Sequence, residues 1–180
     1  MLRLFVGIDL PSSARESLSL LAAGLPGARW LAPETYHVTL AFIGDLDEGA
    51  AEELHEELST VRGKDFLLEL SGVGSFESKG KLRALWAGVV LSEPLAILQG
   101  RVAAACVRAG VKIEKRKFKP HVTLARFSEQ PSKAKLGDWL AAHSLMRLQP
   151  LAVTSFVLFQ SHLGREGAHY EALERYALEA

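Results

Sequence analysis

The sequence has one cysteine, no net charge and no apolar run that approaches the length of a membrane span. Each shortage excludes something. A lone Cys106 rules out an internal disulfide framework and a zinc site built on cysteines. Its neighbours, Val102-Ala103-Ala104-Ala105 and Val107, predict a buried helical position, with no adjacent cation to activate the thiol. Twenty-one Lys and Arg balance 21 Asp and Glu, so the chain as a whole is not a polyelectrolyte binder of nucleic acid, although a local basic patch stays open. The apolar start, Met1 to Ile8, is too short for a signal segment and meets Asp9 and Pro11 at once, so a soluble cytoplasmic protein is expected. Low-complexity tracts are also missing. With 48% apolar residues among 180, the chain suits one domain, or two small lobes sharing a core.

Periodicity then orders the elements. Leu2 to Leu10 reads as a strand stopped by Pro11. Ser12 or Ser13 caps a helix carrying Leu18, Leu20, Leu21 and Leu25, ended by Gly24 and Pro26-Gly27. Tyr36 to Ile43 is a strand, and Asp47 to Val61 a helix whose Leu54, Leu58 and Val61 face inward while its glutamates face water. Phe66 to Val73 alternates as a strand, and Ser71 to Gly80 supplies turn residues. Arg83 to Leu91, Phe118 to Phe127, Leu151 to Leu163 and Tyr170 to Leu178 read as strands; Pro94 to Ala109 and Ser132 to His143 read as helices.

This order occurs twice. Phe5-Val6-Gly7-Ile8 aligns with Trp86-Ala87-Gly88-Val89, and His37-Val38-Thr39-Leu40 recurs as His121-Val122-Thr123-Leu124. The period is far longer than a solenoid repeat. The expectation is an α+β fold of two pseudo-symmetric lobes, each an antiparallel sheet with helices outside, around a central cleft. It forms one domain over 1–180, duplicated roughly as 1–78 and 82–180.

In a strand, alternate side chains share a face. Each motif thus turns its apolar pair to the core and presents its His and Thr together on the other side. Histidine exchanges protons near neutral pH, and a threonine hydroxyl can donate to a phosphoryl oxygen. Two such units related by a pseudo-twofold axis place one histidine on either side of a phosphorus, as in-line displacement requires. Thr39, Thr123 and Arg126 are the candidate donors to the charge that develops on phosphoryl oxygens. Phe42 follows His37 by five and Arg126 follows His121 by five. Five is odd, so a regular strand would turn both away from their histidines; a bulge or an early strand end would not.

These residues, with Arg3-Leu4-Phe5-Val6-Gly7-Ile8-Asp9-Leu10-Pro11, Arg29-Trp30, the Leu158 to Gly164 stretch and Tyr170-Glu171, resemble the two-histidine (2H) phosphoesterases. They are most similar to the branch of RNA 2′,3′-cyclic phosphodiesterases, also called 2′-5′ RNA ligases. The resemblance runs nearly end to end. It implies hydrolysis of RNA 2′,3′-cyclic phosphate ends to 2′-phosphomonoesters, with no metal and no cofactor. His37 would be the proton donor, His121 the proton acceptor, and Phe42 and Arg126 substrate contacts. The partner implied is an RNA end or cyclic nucleotide, and a monomer is expected. Ligation as the main reaction, an RNA-end binding module with little turnover, and action on another small cyclic phosphate are the alternatives.

Other residues carry weaker readings. Lys112, Lys115, Arg116, Lys117 and Lys119 form a basic run before the second motif, either a solvated face or a hold on the RNA backbone. His55 and His143 read as surface or capping residues, and His162 and His169 as candidates to flank the cleft. Among the tryptophans, Trp30 is the one expected nearest a base. A His-x₃-His pair and a Gly-x-Ser-x-Gly elbow are both absent.

Overall fold

A computed structural model describes residues 1–180. Ten strands and four helices alternate along the chain: β1 Leu2–Asp9, α1 Ser12–Ser19, β2 Ala28–Trp30, β3 His37–Leu46, α2 Glu48–Ser59, β4 Phe66–Leu68, β5 Leu70–Ser78, β6 Lys81–Val89, α3 Glu93–Arg108, β7 His121–Phe127, α4 Lys133–Ala142, β8 Leu151–Val153, β9 Ser155–Gly164 and β10 Gly167–Ala177. They form two antiparallel four-stranded sheets, ordered β10-β9-β1-β3 and β2-β7-β6-β5, and a small β4-β8 ribbon. The fold is therefore α+β with two lobes. None of its helices is long and apolar enough to cross a membrane.

The lobes are not the two halves of the sequence. β1 and β3 recruit β9 and β10 from the far end of the chain, while β6 and β7 recruit β5 from before and β2 from the first quarter. The closing strands of each half thus sit in the other lobe. One apolar core of 36 buried residues runs beneath both sheets, fed by Leu4, Val6 and Ile8 of β1, Val38 and Leu40 of β3, Leu85 and Ala87 of β6, and Val122 and Leu124 of β7. Helices cover it from outside: Leu54 and Leu58 of α2, and Leu95, Leu98, Val102 and Ala105 of α3, are buried at helical spacing. Cys106 belongs to the same buried stripe, and desolvation pushes its thiol up to about 12, so it is packing material.

Helix starts follow the expected capping chemistry at Asp47, whose carboxylate accepts from Ala50 N at 2.8 Å, and at Ser132, whose hydroxyl accepts from Lys135 N at 3.1 Å. Four expectations need correction. α1 starts from Pro11 without a side-chain cap and stops at Ser19, so Leu20 is left exposed. Ser71 to Gly80 is mostly strand β5, and the turn is confined to Lys79 and Gly80, both at positive φ. The small residues there serve another purpose: a Cβ on Gly74 would lie 2.2 Å from the Trp86 ring, so glycine makes the slot in which the indole sits. The strand expected from Leu151 to Leu163 breaks at Thr154, where the chain leaves the β4-β8 ribbon for the first sheet. Phe66 to Val73 is likewise split between β4 and β5.

Because strands are exchanged between lobes, both should unfold together. Leu158 is 2% exposed in β9, whereas Trp30 and Trp86 lie in the other sheet and Trp139 in α4. Leu158→Ala is expected to cost about 2–5 kcal/mol. In urea it should shift the tryptophan-fluorescence and far-UV midpoints by the same amount; separate transitions would contradict a shared core.

Candidate active site

β1 pairs with β3, and β6 with β7, in the same antiparallel arrangement, and both pairings carry a register shift at equivalent points. In β3, Gly7 faces Thr39 but Val6 faces Ala41, so Leu40 is the extra residue. In β7, Trp86 faces Thr123 but Leu85 faces Ala125, so Leu124 is the extra residue. Each motif strand therefore has two consecutive buried residues, Leu40-Ala41 and Leu124-Ala125. The bulge returns the next side chain to the face of the histidine. Phe42, 58% exposed, thus rejoins His37 and Thr39, and exposed Arg126 rejoins His121 and Thr123. Of the two options left open by the odd spacing, the chain uses the bulge.

Each histidine is held by the backbone two residues upstream. His37 Nδ1 lies 2.7 Å from the carbonyl oxygen of Thr35, and His121 Nδ1 lies 2.7 Å from that of Lys119. A carbonyl can only accept, so Nδ1 carries the proton in both rings and Nε2 is the nitrogen left to take up or give a second proton. His37 Nε2 is 2.9 Å from Thr39 Oγ1, which donates to it when the ring is neutral. Glycine lets the strands approach closely enough for this. A Cβ on Gly7 would lie 2.8 Å from Val38 O and 3.4 Å from His37 Cδ2, and one on Gly88 would lie 2.4 Å from Ser71 O.

An aromatic cradle surrounds each ring. Phe5 packs on His37 at 4.7 Å with Tyr170 edge-on at 5.3 Å; Phe76 meets His121 edge-on at 4.8 Å, with Trp86 at 6.2 Å. β3 and β7 touch, bringing the two cradles together.

A family model described as LigT-like phosphoesterase matches this chain twice, over residues 8–86 and 90–170. The chain belongs to the LigT-like phosphoesterase family. It is 30% identical to an RNA 2′,3′-cyclic phosphodiesterase of Archaeoglobus fulgidus, over 96% of this chain and 98% of that one. It is 31% identical to one of Geobacillus stearothermophilus over 97% of this chain but 56% of the relative, so it spans about half that protein's length. Among solved structures, E. coli LigT complexed with 3′-AMP superposes with a TM-score of 0.82 at 29% identity, covering 99% of both chains.

In this LigT-like phosphoesterase both histidines titrate below the ordinary range. Desolvation is the main cause for each; Arg126 lowers both, and His121 further lowers His37, while the upstream carbonyls pull the other way. The two rings and Arg126 therefore share one electrostatic site. Across the chain, His, Cys, Asp and Glu side chains do not gather in threes suited to a metal ion. A concavity of about 310 Å³ opens beside His121, walled by Phe76, Trp86, Leu91, Phe118 and Pro120. A larger surface groove between Ala23–Pro26 and α4 contains neither motif.

Several sequence expectations about the surroundings change. Trp30 faces away from the motifs and packs 5.9 Å from Trp139; Trp86 is the tryptophan beside a catalytic candidate. Its alignment with Phe5 two residues before a glycine was the available signal. His162 and His169 pair across β9 and β10, with His162 3.5 Å from Glu171, on the face opposite Tyr170 and hence away from His37. His55 is not a free surface group: its Nδ1 is 2.8 Å from the Tyr176 hydroxyl. His143 caps α4 and packs on Trp139. In the basic run, Arg116 pairs with Glu114 at 2.8 Å, and Lys119 lines the concavity beside His121.

The lowered histidines have a consequence for stability. Unfolded histidine titrates near 6.5, above both folded values, so the unfolded chain takes up protons first as pH falls. Their contribution is complete above about pH 6.5 and is lost as pH drops through the folded values. Denaturant melts at pH 7.5 and 5.0 should show wild type losing stability relative to the His37→Ala/His121→Ala double variant on acidification. A relative gain would mean that the folded values are raised instead.

Proposed function

We propose that this protein opens RNA 2′,3′-cyclic phosphate ends to 2′-phosphomonoesters by metal-independent acid–base catalysis. The observation that carries the reading is the pair of histidines, each presenting Nε2 to one cleft because Nδ1 is committed to a backbone carbonyl. Relatives named RNA 2′,3′-cyclic phosphodiesterase along most of this chain support the substrate class.

In the forward direction His121 Nε2 takes a proton from water as its oxygen bonds to phosphorus. The bond from phosphorus to the 3′ oxygen breaks, and His37, protonated at Nε2, delivers its proton to that oxygen. The product is a 2′-phosphate with a free 3′ hydroxyl; the proton gained by one ring replaces the one lost by the other. Thr39, Thr123 and Arg126 stand on the same face to donate to the non-bridging oxygens. Phe42 offers an exposed apolar surface next to them, and Arg3 lies over its ring at 5.7 Å from the centroid. Lys119 and its basic neighbours add positive potential on the His121 side.

Ligation through a 2′-5′ linkage is the same displacement with a 5′ hydroxyl in place of water: its oxygen bonds to phosphorus, its proton goes to His121, and the 3′ oxygen again leaves with the proton of His37. The 310 Å³ concavity at His121 favours keeping it as a second reading, since it leaves room for more than water where the nucleophile stands.

His37→Ala and His121→Ala are each expected to lower turnover of a cyclic-phosphate-ended oligonucleotide by about 10²- to 10⁴-fold, with native far-UV spectra. Wild type should form the 2′-phosphate in EDTA, read by mass spectrometry of the product. Full rates in both variants, or loss of wild-type activity in chelator, would reject the mechanism.

A further inference from the structure

β2 has no counterpart in the other lobe. The first sheet ends at β3, but the second adds Ala28–Trp30 outside its motif strand β7. The addition is well anchored. Ala28, Arg29 and Trp30 pair with Phe127, Arg126 and Ala125, and Leu31 N continues the attachment by donating to Leu124 O at 2.9 Å. Trp30 pairs with buried Ala125 and packs toward Trp139 on the core side. Alternation then turns Arg29, one residue earlier, to the opposite face, where its direct cross-strand partner is Arg126.

Two like charges directly opposite each other weaken a strand pair. Here nothing inside the protein relieves them. Neither Arg29 nor Arg126 makes an ion pair with a carboxylate or a side-chain hydrogen bond, although Arg108, Arg116, Arg147 and Arg175 all have acidic partners. The chain thus keeps two unneutralised guanidinium groups side by side at the cleft. Such groups match phosphate oxygens in fork geometry. They are not equivalent. Arg126 shares strand β7 with His121, whereas Arg29 lies one strand further out on β2, so Arg29 stands further from the reacting phosphorus.

We infer that Arg29 binds the next phosphate of the RNA, the internucleotide phosphodiester one residue upstream of the cyclic end that Arg126 contacts. This rests on the proposed function and extends it: the favoured substrate is an oligonucleotide end, and β2 is the element that makes it so. The pseudo-symmetric position in the first lobe, Phe42 on edge strand β3, has no strand outside it, and its arginine neighbour, Arg3 of β1, lies over the Phe42 ring instead of beside a second guanidinium. The strand therefore leaves the site over β7 and β2.

The test compares a 2′,3′-cyclic mononucleotide, which has only the reacting phosphate, with a dinucleotide ending in a 2′,3′-cyclic phosphate. For wild type, kcat/KM should favour the dinucleotide, and Arg29→Gln should cut that preference about tenfold. The slope of log(kcat/KM) against log salt for the dinucleotide should flatten, because one screened charge contact is lost. Arg29→Lys, which keeps the charge without the fork, should restore the slope and part of the preference. An equal loss on both substrates, or no change on either, overturns the inference. Calorimetric binding of 2′-phosphorylated mono- and dinucleotides gives the same ratio without turnover. Wild type inactive on both cyclic substrates would thus defeat the proposed function, while this ratio still decides the role of Arg29.

Discussion

At both histidines the contact that matters most is the same one: Nδ1–H donates at 2.7 Å to the carbonyl oxygen two residues before the ring. Neither upstream segment is regular strand. A single 3-10 turn, Pro33–Thr35, presents one carbonyl, and the unstructured approach from Val111 to Pro120 presents the other. Both therefore have a carbonyl free of sheet pairing to spend on an imidazole. That bond selects the tautomer and aims Nε2 into the cleft. The aromatic cradles, and Gly7 at His37, then make sense as devices that hold an already oriented ring close to the sheet, while Gly88 lets β5 and the Trp86 ring pack closely on β6.

The second constraint is the bulge in each motif strand. A regular strand could present His and Thr together, but never His, Thr and the residue five along. One extra residue at Leu40 and at Leu124 solves this in both lobes at the same place. The lobes then differ in what the bulge delivers, an aromatic ring in one and a guanidinium in the other. They differ again in what lies around it. β10 brings Tyr170 against Phe5 and His37, whereas the corresponding side of His121 is an open concavity. A pseudo-symmetric frame thus carries an asymmetric site.

Much of this was legible in the sequence because it depends on short-range rules. The shared face of His and Thr follows from strand alternation, and α2, α3 and α4 follow from apolar spacing and caps such as Asp47 and Ser132. What was not legible depends on partners distant in the chain. Gly72, Gly74 and Ser75 read as a turn, since only the packed indole of Trp86 reveals why a strand needs small residues there. The three residues of β2 are too few to show a period. Their strand character comes from β7, and so does the position of Arg29 beside Arg126. Likewise, alternation cannot say which residue of a strand is the extra one. That is decided by the register with β1 and β6.

Arg126 and the histidines also explain one another. In the free cleft burial and the Arg126 charge hold both rings toward the neutral form, yet a general acid must carry a proton. On the proposed function the missing term is the substrate. A phosphodiester anion seated between the rings cancels the field of Arg126 and favours protonation of a neighbouring imidazole. The two rings resist double protonation, because a charge on His121 already lowers His37. The bound phosphate thus draws in one proton and not two, leaving one ring as acid and its partner as base. The singly protonated state that in-line displacement needs is then a property of the complex, assembled only when the phosphate is in place.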